Sequence, residues 1–181
     1  DEDLTPEAYI KLIESKTADL DTSNTLADAV RAASGVEKVR AIDALSEATD
    51  DTRRLLLADL FRTISSLDPN DETGLAGKYI LLTAVSDAST FYMQRDFAPA
   101  IQALASAAED ERLSASERQQ AYYYAGELLT TTGSTDYKAV FDYFQKAYDA
   151  DPESEYAPRI AEMLVALKEE IERISGDGKQ R

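Results

Sequence analysis

The chain has 181 residues, 44% hydrophobic and 30% charged, with a formal net charge of −16 from 35 acidic and 19 basic side chains. That length supports one sizeable core, while so negative a surface argues against nucleic-acid or anionic-membrane partners unless a local basic stripe exists. With no cysteine and no histidine, disulfides, thiolate or imidazole metal sites and Cys- or His-based nucleophilic catalysis are excluded.

The densest basic clusters, Lys38 with Arg40 and Arg53 with Arg54, each sit beside acids and form no stripe, so no nucleic-acid partner is expected. The longest apolar run, 79–85, is far too short to span a bilayer, so no membrane insertion within this chain is expected either. Seven glycines and five prolines are few breakers, which favours helices over a sandwich or barrel. The start at Asp1 without Met reads as a processed form or an excised piece; an exported or periplasmic setting is expected over a cytoplasmic one.

In chain order, Thr5-Pro6-Glu7 starts a helix to about Lys16, with Thr as cap and Pro at the first helical position. Polar residues Thr17–Thr25 read as a loop, followed by a short helix through Leu26, Ala29, Val30 and Ala33. Ser34 and Glu37 have capping-box spacing and open a helix with Val36, Val39, Ile42 and Leu45 on one face. Thr49 to Leu67 carries a wide apolar stripe, including Leu55, Leu56, Leu57, Phe61 and Ile64, and stops before Pro69. A long helix over Thr73–Gln94 follows, with Leu75, Tyr79, Leu82, Val85 or Ala84, Ala88 and Phe91 inward. A strand at 79–85 has no partner strand of similar quality, so helix is the expectation. Arg95-Asp96-Phe97 turns the chain into a helix to Glu109 with Pro99 in its first turn. Ser114 and Glu117 form a second capping box, Gly133 is placed to cap that helix, Asp136 starts the next and Ser154 the last. The last carries Ile160, Met163, Leu164, Leu167, Ile171 and Ile174 at spacings of three and four.

The register Tyr122, Ala125, Gly126, Leu129, then Tyr137, Val140, Phe144, Ala147, Pro152 has an echo in Ala84, Ala88, Phe91, Phe97, Ala100, Leu104 and Ala107. A fainter one lies in Leu57, Phe61, Ile64 and Pro69. The anchors Phe61, Leu104 and Phe144 lie 43 and 40 residues apart. This pattern resembles the tetratricopeptide repeat, whose strict period is about 34 residues. The resemblance implies an all-α fold of antiparallel helical hairpins stacked as a short right-handed α-solenoid of roughly eight or nine helices. It implies a single domain over 1–175, with its best repeats at 75–110 and 117–152, a capping helix at 155–174 and a flexible tail at 176–181.

In that family first helices line a concave groove. The matching positions are Leu82, Val85, Ser89, Tyr92 and Met93 in one hairpin and Gln120, Tyr123, Glu127, Thr130 and Thr131 in the next. Tyr92 and Tyr123 carry the expectation, because tyrosine offers a large apolar body, a polar tip and little side-chain entropy. Tyr122 is expected in the core and Tyr124 toward another face. Members that clamp a peptide carboxylate use Lys and Asn in this groove; the matching positions hold neither. The function implied is a non-enzymatic protein- or peptide-binding module without cofactor. The alternative is a structural or accessory helical domain of a larger exported or membrane-anchored bacterial protein.

The acidic turns at Asp68 and Asp149 do not fit a calcium loop. Positions six and twelve hold Thr73 and Tyr79 in one, Ser154 and Ile160 in the other, where Gly and Glu are needed. Turn chemistry accounts for both. Adjacent acids such as Asp50/Asp51 and Glu169/Glu170 point to different helix faces, and no glycine-rich run precedes a Lys-Ser or Lys-Thr pair. No metal or phosphate site is expected.

Overall fold

The computed structural model describes residues 21–49 and 57–177. Among them are eight helices and no strand: α1 (Asp21–Ala32), α2 (Gly35–Glu47), α3 (Ala58–Leu67), α4 (Ala76–Met93), α5 (Phe97–Ala108), α6 (Ala115–Thr131), α7 (Tyr137–Ala150) and α8 (Ala157–Asp177). The fold is all-α. The helix expected from Thr5, the positions Leu55 and Leu56, and residues 178–181 lie outside the described residues. None of the described helices is long and apolar enough to cross a membrane.

Sequence boundaries hold where a residue has one conformational option. Asp68, before Pro69, ends α3, and Gly133 leaves α6 with φ of 72°. Ser114 forms a complete capping box with Glu117. Asp136 accepts from the Ala139 N–H at 3.0 Å, and Ser154 Oγ accepts from the Ala157 N–H at 3.1 Å. Two expectations need correction. Asp21–Thr25 belong to α1 rather than to a loop, since Asp, Thr, Ser and Asn suit a first helical turn as well as a loop. Ser34 caps α2 by position only and makes no side-chain cap bond; Gly35 takes φ of 53°, and the Glu37 carboxylate is held by Arg40.

Contacts divide the chain between Ser86 and Asp87. In the first unit α1 packs on α2 and α2 on α3. Val30, Val39, Ile42, Leu45, Leu57, Leu60, Ile64 and Tyr79 form its core. The Tyr79 ring lies 4.7 Å from Phe61, centroid to centroid, and its hydroxyl donates to Asp43 Oδ1 at 2.7 Å. Asp68 is fully buried and organises the turn after α3: its carboxylate accepts from the N–H of Glu72 and from the N–H and hydroxyl of Thr73. A carboxylate there satisfies N–H groups of the turn between α3 and α4 that neither helix bonds, which is the turn role expected of this acidic segment.

In the second unit α5 packs on α6, α6 on α7, and α7 on α8. Gly126 sets the closest approach: a Cβ placed there would meet the Phe144 ring at 3.2 Å and Tyr143 Cβ at 3.3 Å. Tyr122 is buried, as expected from its register, and donates to Glu109 Oε1 at 2.5 Å. Lys146 Nζ lies 3.4 Å from the same oxygen and 5.1 Å from the Tyr122 ring centroid. One carboxylate thereby ties the end of α5 to α6 and α7.

Burial, followed by the hydrogen bond to a carboxylate, pushes the phenols of Tyr79 and Tyr122 up to about 12, against 10.0 ordinarily. A folded-state value above the unfolded one means the native state holds its protons longer. Their contribution is therefore complete below pH 10 and lost as pH rises from 10 to 12. In an absorbance titration of the ten tyrosines, these two are expected to ionise last, with the melting temperature falling over the same window. Tyr79→Phe should flatten that fall, and simultaneous ionisation of all tyrosines in the folded protein would contradict this account.

Candidate binding cavities

The residues expected to line a groove fall into different surroundings. Leu82 is half-buried against the core of the first unit, and Val85 is 37% exposed. In the second unit Ser89 and Tyr92 of α4 line an open cavity of about 330 Å³ with Glu127 and Thr131 of α6. Leu104, Leu128 and Ala88 form its apolar wall. Tyr92 is 41% exposed and packs edge-on against Phe97 at 5.5 Å. Met93, 79% exposed, does not line this cavity. Thr130 turns its hydroxyl back to the Gly126 carbonyl at 2.9 Å, and Thr131 does the same to Glu127 at 2.8 Å.

Gln120 and Tyr123 line a second, smaller cavity of about 150 Å³ between α6 and the start of α8. From α8 and the turn before it come Tyr156, Arg159 and Ile160. The Tyr123 hydroxyl donates to Glu127 Oε1 at 2.7 Å, and its ring stands edge-on to buried Phe144 at 5.6 Å. Half of Tyr123 is therefore committed to packing. Burial raises its phenol, the bond to Glu127 adds to this, and the nearby Arg159 charge opposes both. The floor is Gln119, 2% exposed. Its Nε2 donates to the carbonyls of Ala147 and Asp151 at 3.2 and 2.7 Å, and its Oε1 accepts from Ser154 Oγ at 2.6 Å.

Tyr124 lines both cavities, although its helical angle directs it toward another face. Both cavities lie along α6, and Tyr124, 40% exposed, borders each of them. Arg159 and Tyr156 also escaped the repeat register, because they lie outside the hairpins that carry it. The available signal was Arg159 standing as the lone cation among Asp149, Asp151, Glu153, Glu155 and Glu162. Among the described residues no cluster of carboxylates is arranged to hold a metal ion.

Fold and cavities together define a helical protein whose second unit presents tyrosine-lined depressions. The chain belongs to the family TP_0391_C, described as an uncharacterised protein C-terminal domain, whose model matches residues 75–173. Every residue lining either cavity falls inside that match. No curated protein and no solved structure matches the chain.

Proposed function

We propose that the chain is a non-enzymatic module that binds a protein or peptide, built from tetratricopeptide-like hairpins stacked as a short solenoid. The observation that carries this reading is the larger cavity. Ser89 and Tyr92 were matched to groove positions in one hairpin and Glu127 and Thr131 in the next, and all four line one open depression of about 330 Å³. Packing of α5 on α6, α6 on α7 and α7 on α8 and the small residue at the α6–α7 approach support the hairpin reading. An exposed tyrosine beside an apolar wall suits recognition of a side chain from a partner.

Panning a displayed peptide library against the chain tests it. Selected peptides are expected to lose at least about tenfold in affinity on Tyr92→Ala and on Thr131→Arg. Circular dichroism should stay helical, since both side chains are exposed. Peptides that bind both variants as they bind the parent chain would remove the cavity from the function. The family description, a C-terminal domain, favours a second reading as an accessory domain of a larger protein, which the complete coding sequence would test.

A further inference from the structure

The smaller cavity gathers polar groups that the fold itself does not use. Arg159 makes no hydrogen bond or ion pair among the described residues, and the same holds for the Gln120 amide and the hydroxyls of Tyr124 and Tyr156. In a chain of net charge −16, a guanidinium left without a carboxylate is free to meet an anionic ligand. Five of the eight described arginines are engaged within their own turn, as Arg112 is by Asp110 and Arg173 by Glu170; Arg95 also lacks a carboxylate but lines neither cavity. The Arg159 guanidinium lines a cavity with three tyrosines instead.

We propose that this cavity binds a compact ring-bearing carboxylic acid, its carboxylate on Arg159 and its ring among Tyr123, Tyr124 and Tyr156. A planar guanidinium fork matches a carboxylate in bidentate fashion, with a hydroxyl or the Gln120 amide free to donate to the remaining lone pairs. A doubly charged phosphate would need more than one cation and would meet the repulsion of the surrounding acids. The space of about 150 Å³ is that of a cavity able to hold a single benzene ring. Stacking of a ring on tyrosine faces adds to the binding. The site uses none of the cavity beside Tyr92 except Tyr124, so it stands or falls independently of the peptide-binding proposal.

The test titrates the chain with three probes of one shape: 3-phenylpropionate, its neutral amide, and phenethyltrimethylammonium. The acid is expected to bind, the amide at least about tenfold more weakly, and the cation more weakly still. Arg159→Met should bring the acid down to the level of the amide while helicity is kept, and Arg159→Lys should restore part of the difference. Thr131→Arg, which fills the other cavity, should leave the acid unaffected. A short peptide ending in Phe, with free or amidated carboxyl, separates the two sources. Tighter binding of the free-carboxyl peptide than of the small acid assigns the site to a chain terminus, and the reverse to a free acid. Equal binding of acid and amide, preference for the cation (a tyrosine cage for ammonium), or no binding of any probe at millimolar concentration would overturn the proposal.

Discussion

Gln119→Glu is expected to destabilise residues 87–181 by about 3–5 kcal/mol at pH 8, in the range of an uncompensated buried charge. The change is nearly isosteric, yet it removes both donors. Gln119 is 2% exposed and its amide nitrogen holds the carbonyls of Ala147 and Asp151. A carboxylate there faces two acceptors and sits out of water, so its folded-state pKa must rise above the unfolded value. The native state then binds the extra proton, and stability falls as pH rises through that interval. Urea unfolding at pH 5 and pH 8 should show the smaller loss at pH 5. Gln119→Met, which leaves the two carbonyls without donors and the Ser154 hydroxyl without its acceptor but introduces no charge, should cost about 1–3 kcal/mol at both pH values. A glutamate penalty that does not change with pH would refute this explanation.

Gly126→Leu is the second substitution of large effect. At an exposed helix position, replacing glycine with a better helix former gains up to about 1 kcal/mol. Here even the first added carbon lies 3.2 Å from the ring of Phe144, itself 1% exposed, and 3.3 Å from Tyr143 Cβ. The helices must separate or the ring must leave its rotamer, at a cost of about 3 kcal/mol. Phe144→Ala alone should cost about 3–5 kcal/mol by opening a cavity. In the double variant leucine occupies the space the ring vacated, so the combined loss should fall well below the sum of the two. Denaturation midpoints of the four proteins measure the coupling; strict additivity would mean that the two residues do not share one space.

These two positions illustrate unequal legibility in the chain. Gly126 was readable because its neighbours Tyr122, Ala125 and Leu129 repeat at helical spacing, which leaves a small residue facing the next helix. Tyr122 and Phe144 follow the same logic, as do the turns at Asp68-Pro69 and Gly133, where backbone chemistry leaves few choices. Gln119 was not readable: an amide beside another amide on a polar stretch gives no sign that it is buried. Its burial depends on carbonyls about thirty residues away. Arg95 likewise takes φ of 61°, with Asp96 N–H donating to the Phe91 carbonyl at 2.9 Å, a helix ending that sequence normally announces with glycine. The apolar stripe of α8 runs at helical spacing from Ile160 to Ile174. Only Ile160 is fully covered, and Ile174 is 44% exposed, because periodicity gives the direction of a stripe and not how far a neighbour covers it. Tyr124 and Arg159 were missed for a related reason: cavities arise between elements, and the repeat register describes one hairpin at a time.

The packing of α5 on α6, α6 on α7 and α7 on α8 also has a kinetic meaning. Partners adjacent in the chain meet by closing short loops, which places this unit among topologies of low contact order that fold in microseconds to milliseconds. The same arrangement grades local opening along the chain. The far end of α8, with Val165 and Ile174 exposed, can fray without disturbing the α6–α7 contact. The Gln119 bonds fasten the end of α7 and Ser154 of the turn that leads into α8, so the smaller cavity sits on the slow-exchanging side of that gradient.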